Sequence, residues 1–249
     1  MAHYLLLVQA NPDDTQTGLR ALEQAEQLVA QGEQVSQVFF YGQGVLYANC
    51  FLSFPSGLPN LQATWQQLSR RYNIPLVVCA TVASQYGLEA LEPPTGNLAE
   101  DFHAGGLTEF MSTLANCDTL LQFPAPTYPA EQTKTSQQVT FLFTQLPLHA
   151  SARHGLDMLL MAESLEQDAI AIFTGEGVWQ LVCPTIGADP LKKMDMLPDI
   201  FDFEGFYTTA YDLEQAGLSL AQLRVPVTLL TAERIDDLVN RHSKHVLRF

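Results

Sequence analysis

The sequence predicts two tandem α/β domains, each a three-layer arrangement in which helices cover both faces of a mainly parallel sheet. Two observations carry this prediction. Short apolar runs alternate with segments of helical periodicity, and the same order of features occurs twice along the chain. Strands that read as continuous apolar runs and are separated by helices are typical of parallel sheets buried on both faces.

The composition fits this size of fold and excludes one class of partner. With 249 residues, 47% of them hydrophobic, the chain can form the cores of two small domains or one large one. Its formal net charge is -15 at pH 7. Binding to a nucleic-acid backbone needs clustered Lys and Arg. We therefore expect no direct binding of nucleic acid.

In the first half, strands and helices are predicted in alternation. The predicted strands are Tyr4–Gln9, Val35–Tyr41, Leu76–Cys79 and Thr119–Phe123. The predicted helices are Gly18–Gln31, Leu61–Tyr72, Ala80–Tyr86 and Thr108–Asn116. In the first helix, Leu19, Leu22 and Leu28 follow helical spacing, and Gly32 stands where a helix should end. The predicted layers are close to a flavodoxin-like arrangement.

A proline-rich stretch separates the two halves. Residues 124–137, "PAPTYPAEQTKTSQ", carry three prolines and several Thr and Gln residues, with almost nothing to bury. Such a composition is typical of an extended linker. We therefore predict a first domain at residues 1–123, a linker at residues 124–137, and a second domain at residues 138–249.

The two halves share a pattern that indicates a duplication. "VFFYGQGVLYAN" in the first half corresponds to "AIFTGEGVWQLV" in the second, so Gly42 and Gly44 match Gly175 and Gly177. The closing strands "CDTLLQF" and "SKHVLRF" also correspond. In the second half, "LDMLLMAESLEQ" and "TAERIDDLVNRHS" are the matching helices. Each half is therefore expected to end in a buried strand.

Cys79 is the candidate catalytic residue. It stands at the end of a predicted strand, and the carboxyl ends of parallel strands are where such folds bind and react. A helix that begins at Ala80 would direct its unpaired first amides at the sulfur, which favours the reactive thiolate. That arrangement suits sulfur transfer through a persulfide. The alternative is a buried structural cysteine, and position alone leaves both interpretations open.

The matching position in the second half carries no thiol. Gly87 follows Cys79 by eight residues, and the same step back from Gly217 reaches Thr209. If the chemistry takes place at Cys79, we expect the second half to be a partner of the active domain rather than a second active site.

Other motifs point more weakly to chemistry. The G-x-G loops lack a third glycine, since Tyr47 stands there, and a tight turn explains them better than a nucleotide site. Cys50 or His103 could assist Cys79, although packing or surface roles are favoured for both. No Cys-x-x-Cys pair or metal-ligand cluster occurs in the sequence. We therefore expect no cofactor and no metal.

The sequence also predicts the cellular location. Its start lacks the basic segment of a signal peptide, and no apolar stretch approaches the ~20 residues that span a bilayer. We expect a cytoplasmic protein, without membrane contact, whose thiols are reduced.

These features together resemble the DsrE/DsrF-like sulfur relay family, in the form of a TusD–TusC (DsrE–DsrF) fusion. The first half resembles DsrE/TusD through "VFFYGQGVLYAN", the strand ending at Cys79 with Gly87-Leu88 after it, "NLAEDFHAGGL" and "CDTLLQF". The second half resembles DsrF/TusC through "AIFTGEGVWQL", "AYDLEQAGL" and "VLRF". Members of that second group can carry a cysteine where Thr209 stands.

The resemblance implies a function and a set of partners. Cys79 would carry a persulfide as a sulfurtransferase, receiving sulfur from an upstream donor protein and passing it to a TusE/DsrC-like carrier. A TusB/DsrH-like third subunit would complete a larger oligomer. The pathway would be 2-thiouridine formation at the tRNA wobble position or, less favoured, sulfur oxidation. A non-catalytic assembly module of such a complex is the alternative function.

Overall fold

The protein consists of two compact α/β units. The computed structural model describes residues 1–124 and 137–249. The chain divides into the units Met1–Thr127 and Tyr128–Phe249, each with a five-stranded sheet flanked by helices. The predicted tandem α/β class is thereby confirmed. Most of the predicted linker at residues 124–137 lies outside the described residues.

The first unit alternates strands and helices, as the sequence predicts. Its strands are β1 (His3–Val8), β2 (Gln34–Phe40), β3 (Leu76–Cys79), β4 (Phe102–Gly105) and β5 (Thr119–Phe123). Its helices are α1 (Thr15–Ala30), α2 (Leu61–Tyr72), α3 (Ala80–Gln85) and α4 (Leu107–Asn116), with a 3-10 segment at Gly42–Ala48. The sequence analysis does not predict β4, because this short edge strand buries only Phe102 fully and contains an exposed histidine.

The second unit repeats the alternation with shorter elements. Its strands are β6 (Val139–Phe143), β7 (Ala169–Phe173), β8 (Phe206–Thr209), β9 (Thr228–Leu230) and β10 (His245–Arg248). Its α-helices are α5 (Ala150–Ser164), α6 (Met196–Phe201), α7 (Ala210–Ala216) and α8 (Ala232–Asp237), and α8 continues as a π-helical turn at Leu238–His242. Its 3-10 segments are Gly175–Leu181, Lys192–Asp195 and Leu220–Gln222.

The two sheets have the same topology. The strand orders are β4-β3-β2-β1-β5 and β10-β6-β7-β8-β9, which become identical when the strands of each unit are numbered separately. All neighbouring strands in both sheets pair in parallel. The order differs from the 2-1-3-4-5 order of flavodoxin, although the layers are alike. Shared topology supports the duplication that the sequence pattern indicates.

The first helix of each unit begins earlier than predicted, at Thr15 instead of Gly18 and at Ala150 instead of Leu156. In α1, the Asp14 carboxylate accepts a hydrogen bond from the Thr17 amide at 3.1 Å, so the helix begins at Thr15. Gly18 lies inside the helix, and only glycine fits there because a Cβ would overlap the Tyr47 hydroxyl. Gly155 likewise lies inside α5, against the ring of Phe249. These glycines permit close packing and do not mark helix starts.

The G-x-G loops are tight turns that press against a strand. Gly42 and Gly175 have φ of 54° and 56°, a region that favours glycine. At Gly44 and Gly177 a Cβ would overlap the backbone carbonyl oxygens of Val8 and Phe143 respectively. The loops therefore need both glycines for backbone reasons, as the tight-turn interpretation predicts.

Aromatic contacts fix which helices cover each face of the first sheet. On one face, the ring of Phe40 contacts Trp65 of α2 with centroids 5.7 Å apart. On the other face, the ring of Phe39 contacts Phe110 of α4 at 4.8 Å. Successive side chains of β2 thus pack against helices on opposite faces of the sheet.

None of the helices within the described ranges is long and apolar enough to cross a membrane.

We expect Gly44→Ala and Gly177→Ala to destabilise the protein to a similar extent, by about 1–3 kcal/mol each, because a new methyl group must displace a strand carbonyl. Urea unfolding followed by circular dichroism measures the change. Gly106→Ala is the matched control, since nothing lies within 4 Å of a Cβ built at that position. An equal loss of stability in the control would contradict the close-approach argument.

Candidate functional site

Cys79 occupies the strand-to-helix junction that the sequence predicts. It is the last residue of β3 and stands at the N-cap position of α3, with extended backbone angles of φ -65° and ψ 108°. Its side chain makes no capping hydrogen bond to the helix. Gly87, just after the helix, has φ 72°. Because α3 contains only six residues, its dipole can favour a thiolate only weakly.

The Cys79 thiol lies inside the first unit. The residue is 2% exposed, and its strand is buried throughout. This burial is what the structural-cysteine interpretation predicts, whereas the carboxyl end of a parallel strand is where a nucleophile is expected. The geometry of this unit alone therefore keeps both interpretations open.

Strand register defines the neighbours of Cys79. In the ladder between β3 and β4, Cys79 pairs with Gly105 and Val77 pairs with His103. In the ladder between β2 and β3, Phe40 pairs with Val78, which places Tyr41 next to Cys79 on the other side. Paired residues in a parallel sheet point to the same face. His103 therefore shares a face with Cys79 from one strand away, and it is exposed there.

A carboxylate that the sequence analysis does not identify lies over the same face. Glu109, in the first turn of α4, accepts a hydrogen bond from the side-chain amide of Gln37 at 2.8 Å. Its other oxygen, Oε2, lies 2.5 Å from the position that a Cβ would take at Gly105. Glu109 therefore stands over the residue that pairs with Cys79. No spacing rule would have revealed it, because the contact depends on strand register.

The remaining cysteines differ in their burial and in their hydrogen bonds. Cys50 is half-buried, and its amide donates a hydrogen bond to the Asn97 carbonyl at 2.9 Å. Cys117 is buried after α4, where its thiol donates to the Leu114 carbonyl at 3.4 Å. Cys183 is exposed. Cys50 and Cys183 both lie two residues after the 3-10 segments of their units, so they are equivalent positions of the duplication.

Thr209 occupies the position in the second unit that Cys79 occupies in the first. It ends β8 and caps α7, with its hydroxyl accepting from the Asp212 amide at 2.9 Å. The same hydroxyl donates to the Asp212 carboxylate at 2.6 Å. Thr209 lines a cleft of about 580 Å³ between the start of α7 and α8. The second unit therefore holds a helix cap where the first holds a thiol.

Metal ligands do not gather at either site. Within residues 1–124 and 137–249, no three His, Cys, Asp or Glu side chains come together in a way that could hold a metal ion. The histidines of α5 have local roles: His149 caps the helix by accepting from the Ser151 amide at 3.3 Å. Burial lowers the pKa of His154, which lies on the inner face of α5.

The fold and the junction at Cys79 can now be set beside known proteins. The model of the DsrE/DsrF-like family matches residues 2–123. The sulfurtransferase TusD homolog of Pasteurella multocida is 36% identical over 124 residues, which cover 47% of this chain and 97% of that protein. Sulfurtransferase TusD of Proteus mirabilis is 35% identical over 126 residues, or 48% of this chain and 97% of that protein. The chain therefore belongs to the DsrE/DsrF-like family.

The family model matches the first half of the chain, and each relative described here covers about half of it. Among solved structures, the ychN protein from E. coli aligns over 49% of this chain and 100% of its own, with 19% sequence identity and a TM-score of 0.43. The predicted resemblance of the first half to DsrE/TusD is confirmed. The resemblance of the second half to DsrF/TusC stays a prediction.

We expect a small alkylating reagent to modify Cys183 first in the native protein and to reach Cys79 and Cys117 last, because only Cys183 is exposed and the other two are buried. Peptide mass spectrometry after a brief reaction measures the order. In concentrated urea, the control condition, all of the cysteines should react at similar rates. Modification of Cys79 ahead of Cys183 would contradict this order.

Proposed function

We propose that this protein is a sulfurtransferase that carries sulfane sulfur as a persulfide on Cys79 and passes it to a carrier protein. One observation carries the proposal: Cys79 closes β3 at the carboxyl edge of the sheet, within the half of the chain that matches TusD sulfurtransferases. Sulfur transfer needs a single nucleophilic thiol and neither a metal nor an acid–base pair, so the residues present suffice.

The proposed reaction has two steps with the same chemistry. The Cys79 thiolate attacks the outer sulfur of a donor persulfide, the S–S bond of the donor breaks, and the donor leaves as a thiolate. In the second step, a thiolate of the carrier attacks the outer sulfur on Cys79. The S–S bond at Cys79 then breaks, and its sulfur is restored as a thiolate that takes up a proton.

Burial of Cys79 favours handover between proteins over reaction with a free small molecule. At 2% exposure, the thiol reacts slowly with dissolved molecules and is reached faster when a partner surface opens its surroundings. We propose an upstream persulfide donor, a TusE/DsrC-like downstream carrier and a TusB/DsrH-like third subunit, all in the cytoplasm. The second half would act as the DsrF/TusC-like partner domain, since Thr209 offers no thiol.

The pathway we propose is formation of 2-thiouridine at the tRNA wobble position, and sulfur oxidation is the less favoured alternative. The relatives named above are TusD sulfurtransferases. A net charge of -15 opposes direct contact with tRNA phosphates. The carrier, and not this protein, would therefore meet the tRNA machinery.

A second candidate function is a non-catalytic assembly module of the same relay. Two observations favour it: Cys79 is buried, and the equivalent position in the second unit is a capping threonine. In this case Cys79 fills space in the core, and sulfur passes over other subunits.

Loading with sulfur separates the two candidates. In a Cys183→Ser background, which removes the exposed thiol, we expect intact-mass spectrometry after incubation with a persulfide donor until the mass is constant to show the gain of one sulfur atom that a reductant removes. Cys79→Ser should abolish the gain, and Cys50→Ser should leave it unchanged. Equal gain by the Cys79→Ser protein would overturn the assignment of the site, and no gain by the native protein would favour the assembly module.

Deletion of the gene tests the pathway. We expect 2-thiouridine in total tRNA to fall strongly and to return when the native gene, but not the Cys79→Ser gene, is supplied. Nucleoside mass spectrometry measures the level. An unchanged level in a genome with no second copy of the pathway would move the assignment to sulfur oxidation or another relay.

A further inference from the structure

We propose that Glu109 drives sulfur off Cys79, because its fixed negative charge repels the anionic persulfide. The inference rests on the proposed function, in which Cys79 carries that persulfide. In this role Glu109 is a positioning residue that acts on Cys79 through its charge. Its effect is on the equilibrium between loaded and empty protein.

The placement of the carboxylate follows from two observations. Glu109 Oε2 lies 2.5 Å from the site of a Cβ at Gly105, and Gly105 pairs with Cys79 across the ladder. Side chains of paired residues stand on the same face, about one strand spacing or ~5 Å apart. The carboxylate therefore occupies the space of the side chain that would otherwise neighbour Cys79.

The surroundings hold Glu109 in that place. Gln37 is 3% exposed, and its Nε2 donates to Glu109 Oε1 at 2.8 Å. The Oε1 atom of Gln37 has no hydrogen-bond partner among the described residues. Burying an amide with one unsatisfied atom costs free energy. The hydrogen bond to Glu109 is therefore the polar contact that explains why a glutamine stands at this buried position. A side chain at position 105 would displace the carboxylate.

Five elements surround Cys79: β2, β4, α3, α4 and the Gly42–Ala48 segment. Glu109 is the one carboxylate on these elements. Their other ionisable groups, counting Tyr41 after β2, are Tyr41, Tyr47 and His103. Helix α3 contributes none, and α4 contributes only Glu109. No Lys, Arg or His in the described part of the chain forms an ion pair with Glu109. Its charge is therefore not neutralised locally.

The charge balance of the handover shows what Glu109 does. A persulfide is a stronger acid than a thiol, so the loaded site bears a negative charge on its outer sulfur. When that sulfur passes to a carrier thiol, the carrier keeps the negative charge and its proton ends on Cys79. The net reaction moves one negative charge away from Glu109. A nearby like charge disfavours the ionised form, so Glu109 favours the unloaded product.

The same repulsion acts on the empty site. A carboxylate at this distance also disfavours the Cys79 thiolate. Because Glu109 is exposed to solvent, screening keeps the effect of its charge small, at about tenfold in equilibrium. The empty protein would hold a neutral thiol, and the loaded protein would hold an anion that it releases readily.

The test is the sulfur content of the loaded protein at equilibrium. Native protein and Glu109→Gln, both in a Cys183→Ser background that removes the exposed thiol, are each incubated with glutathione and glutathione persulfide at a fixed ratio until the intact mass is constant. We expect the ratio of loaded to empty protein to rise about tenfold in Glu109→Gln. Glu109→Asp keeps the charge and should stay near the native ratio, and Glu26→Gln, on the exposed face of α1, is the remote control. An equal or lower ratio in Glu109→Gln would overturn the proposal.

A thiol titration tests Glu109 even if the native protein carries no sulfur. The protein is labelled with ¹³Cβ-cysteine, the Cys79 signal is assigned from its loss in Cys79→Ser, and its shift is followed against pH. We expect the midpoint to fall by about one pH unit in Glu109→Gln, and the difference to shrink at high salt. An unchanged or higher midpoint would refute the role of Glu109. Failure of the native protein to load would instead refute the proposed function.

Discussion

Parallel pairing of β3 between β2 and β4 is the constraint on which the candidate site depends. Because all strands run in one direction, their carboxyl ends collect at one edge, and each ladder fixes which side chains share a face. The pairing places Cys79 beside Gly105. That glycine leaves room for a carboxylate from the next helix. A slip of one residue would send Cys79 to the opposite face, away from α4.

The two units show how one scaffold can hold different chemistry at one position. Both sheets have the same strand order, and both G-x-G turns press against a strand carbonyl. At the equivalent junction, the first unit has Cys79 without a capping bond, and the second has Thr209 bonded to Asp212. A threonine that caps its own helix contributes to local stability. The two junctions therefore differ in side chain and in hydrogen bonding although their backbones correspond.

The sequence predicted those features that depend on local pattern. Apolar runs and glycine spacing predicted the buried strands, the duplication and the junction at Cys79. Helix α2 has its predicted bounds. Strand β4 was missed because an edge strand of four residues that ends in Gly105 shows no alternation of apolar and polar residues. The predicted helix starts were wrong because Gly18 makes room for the hydroxyl of Tyr47, a residue distant in sequence, and does not mark a helix start. Glu109 was missed because its position depends on the register of β3 and β4 and on Gln37. Neither can be read from the spacing of residues along the sequence.

Burial of the Cys79 sulfur has a consequence for its chemical lifetime. Thiolates and persulfides are lost to oxidants in proportion to their exposure, and the later steps of that oxidation are irreversible. At 2% exposure, Cys79 is insulated from dissolved peroxide and stray thiols by the same packing that slows its exchange. Under the proposed function, sulfur held on Cys79 would be lost slowly between encounters, because it would become available mainly while a docked partner holds the surrounding surface open.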